Sequence, residues 1–375
     1  MSFQYVSSMR LPLRRPRAAT ASPTAEALPG THHWGKVLGG AAAAAVLGWL
    51  AVKAAGNGKQ FVTVTLNGLT LAALYFVVAS GFTLIFGLMR VVNMAHGSLY
   101  LLGGYLAFEM QESWFQKDSG GLNLSLSAGG SSGTEYDLLG WLVPLVLASL
   151  FIGLLGVAIQ QLFLRWNQGQ DLRQALITIA IGVILADQML AHFGGIAKDI
   201  KTPASWPETV TLPGDITYGF FRLVIVTGSA LLIGLLLWLM IKRTRFGLIV
   251  RAGVDDRQMV SAIGINIPLV FAGAFFIGAM LAGFGGVLGG TMIALEPGED
   301  TSFLLASLIV VIIGGMGSLG GAAIGALALG LVDAYADVYL IFGDTDLTNY
   351  SILVTFALLV AVLAVRPLGL FGRPA

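Results

Sequence analysis

The chain contains no cysteine and little charge. Four of its 375 residues are histidine and only 11% are charged, whereas soluble globular domains carry about 25% charged residues. The lack of cysteine excludes disulfides, thiolate metal sites and a cysteine nucleophile, and four scattered histidines do not suggest a metal site. A net charge of +1 gives no basic field for nucleic acid. Instead, 56% of the residues are hydrophobic and lie in long runs, which is typical of membrane proteins.

Ten apolar runs approach the length of a membrane-spanning helix. A span needs about 20 residues, and its backbone groups must be satisfied within the segment, which a helix achieves and a single strand does not. The sequence therefore predicts an all-α, polytopic transmembrane helical bundle of about ten spans. The runs cover residues 37–55, 61–88, 91–110, 138–164, 174–194, 220–241, 267–293, 302–316, 320–341 and 350–365.

Basic residues between these runs predict the orientation. With the N-terminus inside, 15 of the 21 lysines and arginines fall in inner segments. Cytoplasmic loops are enriched in these residues, so both termini are expected in the cytoplasm. The acids fall mostly in outer segments, and Glu299 and Asp300 are among them.

The first 55 residues differ from the rest of the chain. The basic tail 1–36 is rich in Pro, Arg, Ala, Ser and Thr, a composition that predicts disorder. The run 37–55 that follows is either an uncleaved first span, which we favour, or a signal peptide. Residues 37–375 are then expected to form one integral membrane domain.

Two glycine-rich segments imitate nucleotide-binding motifs. Residues 30–36 have Walker A spacing, but Val37 stands where the loop needs serine or threonine. Residues 315–320 fit G-x-G-x-x-G, but no second βαβ unit accompanies them. We interpret the second segment as a turn that lets two membrane helices pack closely. Its glycines are Gly314, Gly315, Gly317, Gly320 and Gly321. We expect no bound cofactor or metal and, without a catalytic motif, no enzyme activity.

Polar residues within the apolar runs are candidates for a translocation pathway or for helix turns. Such side chains are costly in lipid and tend to face the bundle interior or a water-filled cavity. Asn93, His96 and Ser98 lie between two predicted helices, so they either tie those helices together or line a pathway. We expect Asn93 and His96 near the cytoplasmic end of this turn, facing protein. Asn67 is a further candidate, while Asp187 and Asp333 lie toward the outer half of their runs.

The inner loop 242–266 predicts a short cytoplasmic helix. Asp255 is a candidate N-cap, and Gln258 would complete a capping box. The helix is expected over 256–263 and ends before Gly264, which suits a left-handed position. One face carries Met259, Val260 and Ile263. Such a helix either lies on the membrane surface or docks a partner.

Four motifs occur in order along residues 60–370. They are Asn67-Gly68-Leu69, then Gly87-Leu88 with Asn93-Met94-Ala95-His96-Gly97, then Arg251 with Asp255-Asp256-Arg257 and Gly264-Ile265-Asn266, and finally the turn 314–321. With these motifs the chain resembles the permeases of branched-chain amino acid ABC importers, of the LivH type. That family usually has Asn-Phe-Ala-His-Gly, so Met94 departs from its pattern.

The resemblance implies an importer built from several chains. A periplasmic binding protein would deliver leucine, isoleucine or valine to two related permeases, commonly a heterodimer, in the bacterial inner membrane. Two separate ATPase subunits would hydrolyse ATP in the cytoplasm, and the helix between Asp255 and Gly264 would couple them to the permease. A urea or short-amide permease is an alternative, because urea permeases share Asn-x-Ala-His-Gly. A stand-alone secondary carrier is another.

Overall fold

The computed structural model describes residues 56–89, 92–115, 136–167, 169–255, 260, 262, 264–342 and 345–372. Most of them are helical. The predicted tail 1–36 and first span 37–55 lie outside these residues. Within the described ranges the α-helices are α1 (Gly58–Met89), α2 (His96–Met110), α3 (Leu138–Ile159), α4 (Asp171–Phe193), α5 (Thr227–Arg243), α6 (Arg245–Asp255), α7 (Ile267–Met292), α8 (Glu299–Gly314), α9 (Leu319–Tyr339) and α10 (Ser351–Val365).

Shorter elements extend or connect these helices. One turn of π-helix continues α2 and α3 and leads into α5, so each of the three is longer than its α-helical part. The π segments are Gln111–Phe115, Gln160–Leu164 and Phe221–Val226, and 3-10 turns cover Arg165–Asn167 and Thr348–Tyr350. Two antiparallel hairpins pair β1 (Thr209–Leu212) with β2 (Ile216–Gly219), in the register Val210 to Tyr218, and β3 (Ile341–Phe342) with β4 (Thr345–Asp346).

Six helical segments of the described chain are long and apolar enough to cross a membrane. They are those of α1, α3, α4, α5, α7 and α9, and α10 is apolar but shorter. Every predicted run from 61–88 onward coincides with one of these helices or with α2 or α8. The helical, polytopic class that the sequence predicts is therefore confirmed for the described residues.

Helices α1 and α7 occupy the centre of the bundle. Helix α7 packs against α1, α2 and α3, and α1 also packs against α8 and α9. Glycine makes these contacts possible, since a Cβ at Gly103 would lie 2.5 Å from the Cα of Gly283. Close backbone approach through small residues is a general way to pack helices in lipid, where apolar surface gives little driving force.

The segment 242–266 differs from its prediction. Helix α6 fills its first half and ends at Asp255, while the predicted helix beyond Asp255 lies almost wholly outside the described residues. The hydroxyl of Thr244 accepts a hydrogen bond from the Gly247 amide at the start of α6. Further along the helix, the side chain of Val250 is buried in the core. The apolar residues of α6 form no run long enough to span a membrane, so the pattern of apolar runs predicted no helix here. Asp256, Arg257, Gln258, Met259 and Ile263 lie outside the described residues.

The end of this segment has the predicted form. Gly264 has a φ of 85°, and the amide of Ile265 donates to the carbonyl of Val260. A left-handed residue followed by this backbone bond closes the C-terminus of a helix. Asn266 then caps α7, because its side chain accepts from the Leu269 amide.

The glycine turn between α8 and α9 is also close to its prediction. Gly315 and Gly317 have φ angles of 98° and 80°, and the backbone of Gly314 lies against Gly321 so closely that a Cβ at either position would overlap the other. Gly320 was predicted to allow close packing as well, but nothing lies within 4 Å of its Cβ position, so it makes no close contact. The segment before this turn is helical, not a strand, which excludes a dinucleotide-binding turn at this place.

Candidate functional site

Helix α2 begins inside the bundle, not at the level where α1 ends. His96 is fully buried, and its Nε2 donates to the carbonyl oxygen of Val78, 3.0 Å away and well within α1. The amide of Met94 donates to the Thr178 hydroxyl in α4 at 3.1 Å. Both residues face protein, as predicted, since Asn93 is 2% and His96 0% exposed, and their place at the cytoplasmic end of the turn stays a prediction. The turn reaches partners midway along α1 and α4, because its polar groups would otherwise be unsatisfied inside the bundle.

Helix α8 begins at the same place. Gly97 lies so close to the backbone of Asp300 that a Cβ would overlap the Asp300 carbonyl oxygen. Ser98 joins three elements, because its hydroxyl lies 3.1 Å from the carbonyl of Gly182, the middle residue of α4, and 3.2 Å from the Asp300 carboxylate. The first turns of α2 and α8 thus meet beside the centre of α4.

Before α2, Asn93 accepts hydrogen bonds from the Ala95 amide through its side chain and from the His96 amide through its carbonyl, whereas α8 has no side-chain cap. The N-cap residues are Ala95 for α2 and Gly298 for α8, and neither has a side chain that could accept a hydrogen bond. Other helices of the chain are capped, namely α3 by Asp137, α7 by Asn266 and α9 by Ser318. The first amide groups of a helix carry a partial positive charge and need acceptors. The first turn of α2 contains no acidic residue of its own, but the Asp300 carboxylate of α8 lies 3.2 Å from the Ser98 hydroxyl in that turn.

A cavity of about 500 Å³ lies between these helix starts and α4. Its walls combine polar groups with aliphatic side chains. The polar residues include Ser98, Asp187 and Asp300, and the aliphatic ones include Leu101, Val183 and Leu304. A pocket with apolar walls and a few convergent polar groups is the usual form of a small-molecule site.

Tyr105 lines the same cavity about two turns beyond Ser98 on α2. Its side chain is 1% exposed, and its hydroxyl has no hydrogen-bond partner among the described residues. Its ring stacks on Phe193 with 4.4 Å between the centroids, which fixes its position. Buried polar atoms without partners are rare in proteins, and this hydroxyl is itself enclosed by the protein.

Asn67 belongs to a different place. The Tyr218 hydroxyl of β2 donates to the Asn67 side-chain oxygen at 2.9 Å and lies 3.0 Å from the Thr70 hydroxyl. Burial raises the pKa of the Tyr218 phenol, which keeps it protonated and able to donate. Asn67 therefore anchors the β1–β2 hairpin to α1 and is not among the residues that line the cavity.

The predicted sites come together only in part. Ser98 lines the cavity, while Asn93 and His96 hold the turn that precedes it. Neither the glycines of the α8–α9 turn nor the described residues of the coupling segment line it.

The sequence missed Asp300, which it assigned to an outer segment. A short apolar run that begins with Pro297, Gly298 and two acids was the available signal for the start of α8 at Glu299. In the described residues no cluster of three or more His, Asp or Glu side chains could hold a metal ion.

Comparisons with known proteins agree on one family. The model described as "Branched-chain amino acid transport system / permease component" matches residues 64–363. The chain is 31% identical over 319 residues to the high-affinity branched-chain amino acid transport system permease protein BraD of Pseudomonas aeruginosa, covering 82% of this chain and 94% of that protein. It is 30% identical over 315 residues to the corresponding protein LivH of Escherichia coli K12, with the same shares covered.

More distant similarities extend the comparison. A probable branched-chain amino acid transport permease protein LivH of Methanocaldococcus jannaschii is 22% identical over 302 residues, covering 80% of this chain and 89% of that protein. Among solved structures, PsaBC from Streptococcus pneumoniae in complex with Fab aligns with a TM-score of 0.42 at 11% identity. That alignment covers 79% of this chain and 90% of the other.

Proposed function

Because the chain belongs to the family of permease components of branched-chain amino acid transport systems, we propose that it forms the membrane pathway for these amino acids in an ABC importer. The family is one of transport permeases and not of enzymes. The observation that carries the proposal is the cavity between α2, α4 and α8, which lies within the matched residues 64–363. Polar residues inside membrane proteins mark substrate pathways.

Leucine, isoleucine and valine are the proposed substrates. The aliphatic walls of the cavity, among them Leu101, Val183 and Leu304, suit a branched apolar side chain. Urea has no such side chain to bury. The relatives compared above are branched-chain amino acid permeases by name, which supports neither the urea permease nor the stand-alone carrier.

The permease works with ATPase and binding-protein components, as its family does. We propose two ATPase subunits, one periplasmic binding protein and a second, related permease. Helix α4 supports the second permease, since Asp187, Gln188 and His192 are exposed on a helix that is apolar enough to cross the membrane. Polar side chains in such a helix need protein or water, not lipid. In this proposal the chain binds no cofactor, and ATP is hydrolysed by the separate subunits.

The coupling role of the segment 242–266 rests on the family and on its local form. Positive charge is concentrated there, and Arg245 and Arg251 are exposed, which supports a cytoplasmic position. The same rule supports both termini in the cytoplasm and about ten spans. We place the protein in the bacterial inner membrane, where its ATPase partners can reach this segment.

A reconstituted uptake assay tests the proposed function. The permease would be purified with the proposed second permease and ATPase subunits, placed in liposomes with the binding protein, and given radiolabelled leucine. We expect uptake that requires ATP, the binding protein and both ATPases. Leucine uptake by this chain in ATP-free vesicles without ATPase subunits would contradict the importer, and uptake of urea but not leucine would contradict the substrate.

A further inference from the structure

Helix α5 carries an exposed stripe that runs to the end of its membrane span. Leu231, Leu235, Trp238 and Lys242 follow one another at intervals of three or four residues, so they lie on one face of the helix. All four side chains are exposed, and the segment Phe221–Arg243 is long and apolar enough to cross a membrane. The leucines of this stripe therefore suit contact with lipid acyl chains.

The last two residues of the stripe mark the boundary of the hydrocarbon. The ammonium nitrogen of Lys242 lies over the ring of Trp238, 5.9 Å from its centroid. Tryptophan is enriched where acyl chains meet headgroups, and a lysine one turn further extends its charged end into the headgroup layer. The end of α5 thus reaches the level of the lipid phosphates.

Helix α6 starts at the same level, because the corner between α5 and α6 is tight. The Thr244 hydroxyl donates to the Met240 carbonyl of α5 at 2.6 Å and accepts from the Gly247 amide of α6 at 3.1 Å. A Cβ at Gly247 would overlap the carbonyl oxygens of Met240 and Ile241. With one residue between the two helices, the first turn of α6 stays beside the end of the span.

Helix α6 has two unlike faces. Its inner face packs on the bundle, where Val250 is buried and the ring of Phe246 lies against Gly273 of α7. Its outer face carries Arg245, Leu248 and Arg251 at intervals of three residues, and all three are exposed. An exposed leucine between two arginines suits a surface that is apolar below and anionic above, as the headgroup layer of a bilayer is.

The charge of this corner has one sign. Lys242, Arg243, Arg245 and Arg251 are exposed, and Asp255, at the far end of α6, is the only acidic residue between positions 223 and 255. Four or more basic residues directly beside a membrane span are typical of anionic lipid recognition. Arginine adds geometry to charge, because its guanidinium can donate two parallel hydrogen bonds to a phosphate.

We propose that the corner of α5 and α6 is a binding site for the headgroup phosphates of anionic phospholipids. Arg245 and Arg251 bind the phosphates, Leu248 between them enters the acyl layer, and Lys242 with Trp238 holds the neighbouring end of α5 at the same depth. The site goes beyond the proposed function, since its ligand is a membrane lipid and not the transported substrate.

A protein partner is the alternative occupant of the outer face of α6, because an acidic surface of an ATPase subunit would also match its arginines. The lipid is favoured by the continuity of this face with the exposed apolar stripe of α5 and by the tight corner at Gly247. Arg165 and Arg173 offer a matched control, since both are exposed basic residues at the ends of other apolar helices.

The experiment counts lipids bound to the full chain by native mass spectrometry. The protein, in a neutral detergent and freed of native lipid, is titrated with dioleoylphosphatidylglycerol, with dioleoylphosphatidylcholine or with glycerol 3-phosphate. We expect the phosphatidylglycerol to bind about tenfold more tightly than the phosphatidylcholine, and glycerol 3-phosphate to bind far more weakly than either lipid.

Paired substitutions then locate the site. Arg245→Gln with Arg251→Gln should weaken phosphatidylglycerol binding about tenfold or more, since each cation near a lipid surface contributes about fivefold in affinity. Arg245→Lys with Arg251→Lys keeps the charge and loses the paired hydrogen bonds, so its affinity should lie between those of the parent and the glutamine variant. Arg165→Gln with Arg173→Gln removes the same charge elsewhere and should stay within about twofold of the parent.

Four results would each overturn the site. The parent could bind both lipids equally well, or the two glutamine variants could weaken phosphatidylglycerol binding equally, which would reduce the effect to overall positive charge. Glycerol 3-phosphate could bind as tightly as the lipid, which would make the corner a site for a soluble anion. Finally, the Arg245 and Arg251 glutamine variant could bind lipid as the parent does but no longer co-purify with ATPase subunits, which would assign the outer face of α6 to the ATPase.

Discussion

His96 shows how one buried side chain fixes the start of a helix. Its Nε2 bond to the Val78 carbonyl and its edge-on contact with the Phe82 ring, 5.3 Å between centroids, hold the first residue of α2 against α1. Its Nδ1 has no partner among the described residues. A histidine that is fully enclosed in this way positions the start of α2 and does not contact substrate. We therefore expect it to support transport by holding the turn in shape.

His96→Ala should reduce leucine uptake and lower the stability of the protein. The variant loses one hydrogen bond, worth about 1 kcal/mol, and leaves a cavity that costs more. Thermal unfolding in detergent and uptake in liposomes measure the two effects. Lys59→Ala, at an exposed position of α1, is the control and should behave as the parent does. Parental uptake and melting temperature in His96→Ala would show that the turn does not depend on this side chain.

Gly97→Ala should abolish most transport although it adds one methyl group. The new Cβ would overlap the Asp300 carbonyl oxygen, so α2 and α8 would have to separate at the cavity. We expect leucine uptake to fall about tenfold or more, since overpacking at such a contact costs about 1–3 kcal/mol. The control is Gly228→Ala in α5, where nothing lies within 4 Å of the Cβ position. Equal uptake in the two variants would rule out a tight contact at Gly97.

At the scale of elements, Gly264 decides where the segment 242–266 ends. Its positive φ of 85° lets the Ile265 amide reach the Val260 carbonyl, after which Asn266 starts α7. A short element joined so directly to α7 could pass ATPase closure into the membrane as a rigid-body movement. The open space around Gly264, with nothing within 4 Å of its Cβ position, means that a substitution acts through the backbone and not through a clash.

Gly264→Val should uncouple ATP hydrolysis from leucine uptake. A residue with a Cβ in the left-handed region costs roughly 1–2 kcal/mol, so the helix end should tilt or extend while the protein remains inserted. Gly264→Asn is the control, because asparagine tolerates this conformation. Uptake and ATP hydrolysis would be measured on the same assembled complex. If Gly264→Val assembles with its ATPases and transports at the parental rate, this segment is not the coupling element.

Asp333 joins three helices toward one end of the bundle. Its carboxylate accepts hydrogen bonds from Tyr75 of α1, at 2.9 Å, and from Thr355 of α10. Asp333→Leu should therefore loosen α10, because two donors lose their acceptor at about 1–3 kcal/mol each. Faster protease cleavage between α9 and α10, with a lower melting temperature, would measure this. Asp337→Leu, one turn further at an exposed position of α9, should change neither the cleavage rate nor the melting temperature. Equal effects of both substitutions would contradict the role of Asp333 in joining the helices.

At the scale of the whole molecule, the absence of cysteine makes the orientation easy to test. Glu208→Cys, in the segment before β1, should react with a membrane-impermeant maleimide in intact cells. Arg251→Cys, in α6, should react only after the membrane is opened. Both native residues are exposed, and the parental chain, with no cysteine, is the unlabelled control. Labelling of both positions from the same side would contradict the orientation drawn from the basic residues.

Local chemistry explains which parts of the structure were predictable. Long apolar runs fix helices wherever they occur, since lipid leaves the backbone few other conformations. Gly264 and the glycines of the α8–α9 turn were recognisable because a left-handed backbone position favours glycine, and a glycine at that one position can be read from the sequence. Helix α6 was missed because it is short and amphipathic, with Arg245 and Arg251 among its apolar residues, so it forms no apolar run of membrane-spanning length.

The sequence by itself determined the helical membrane class, the positions of the long helices and the family, because each depends on composition or on neighbouring residues. Only the tertiary structure decided the depth of the turn at Asn93 and His96, the anchoring of Asn67 to Tyr218, and the meeting of Ser98 with Asp300. Ser98 and Asp300 are 202 residues apart in the chain. Whether two such residues meet depends on how the helices pack and on where α8 begins, and the sequence around either residue carries no record of the other.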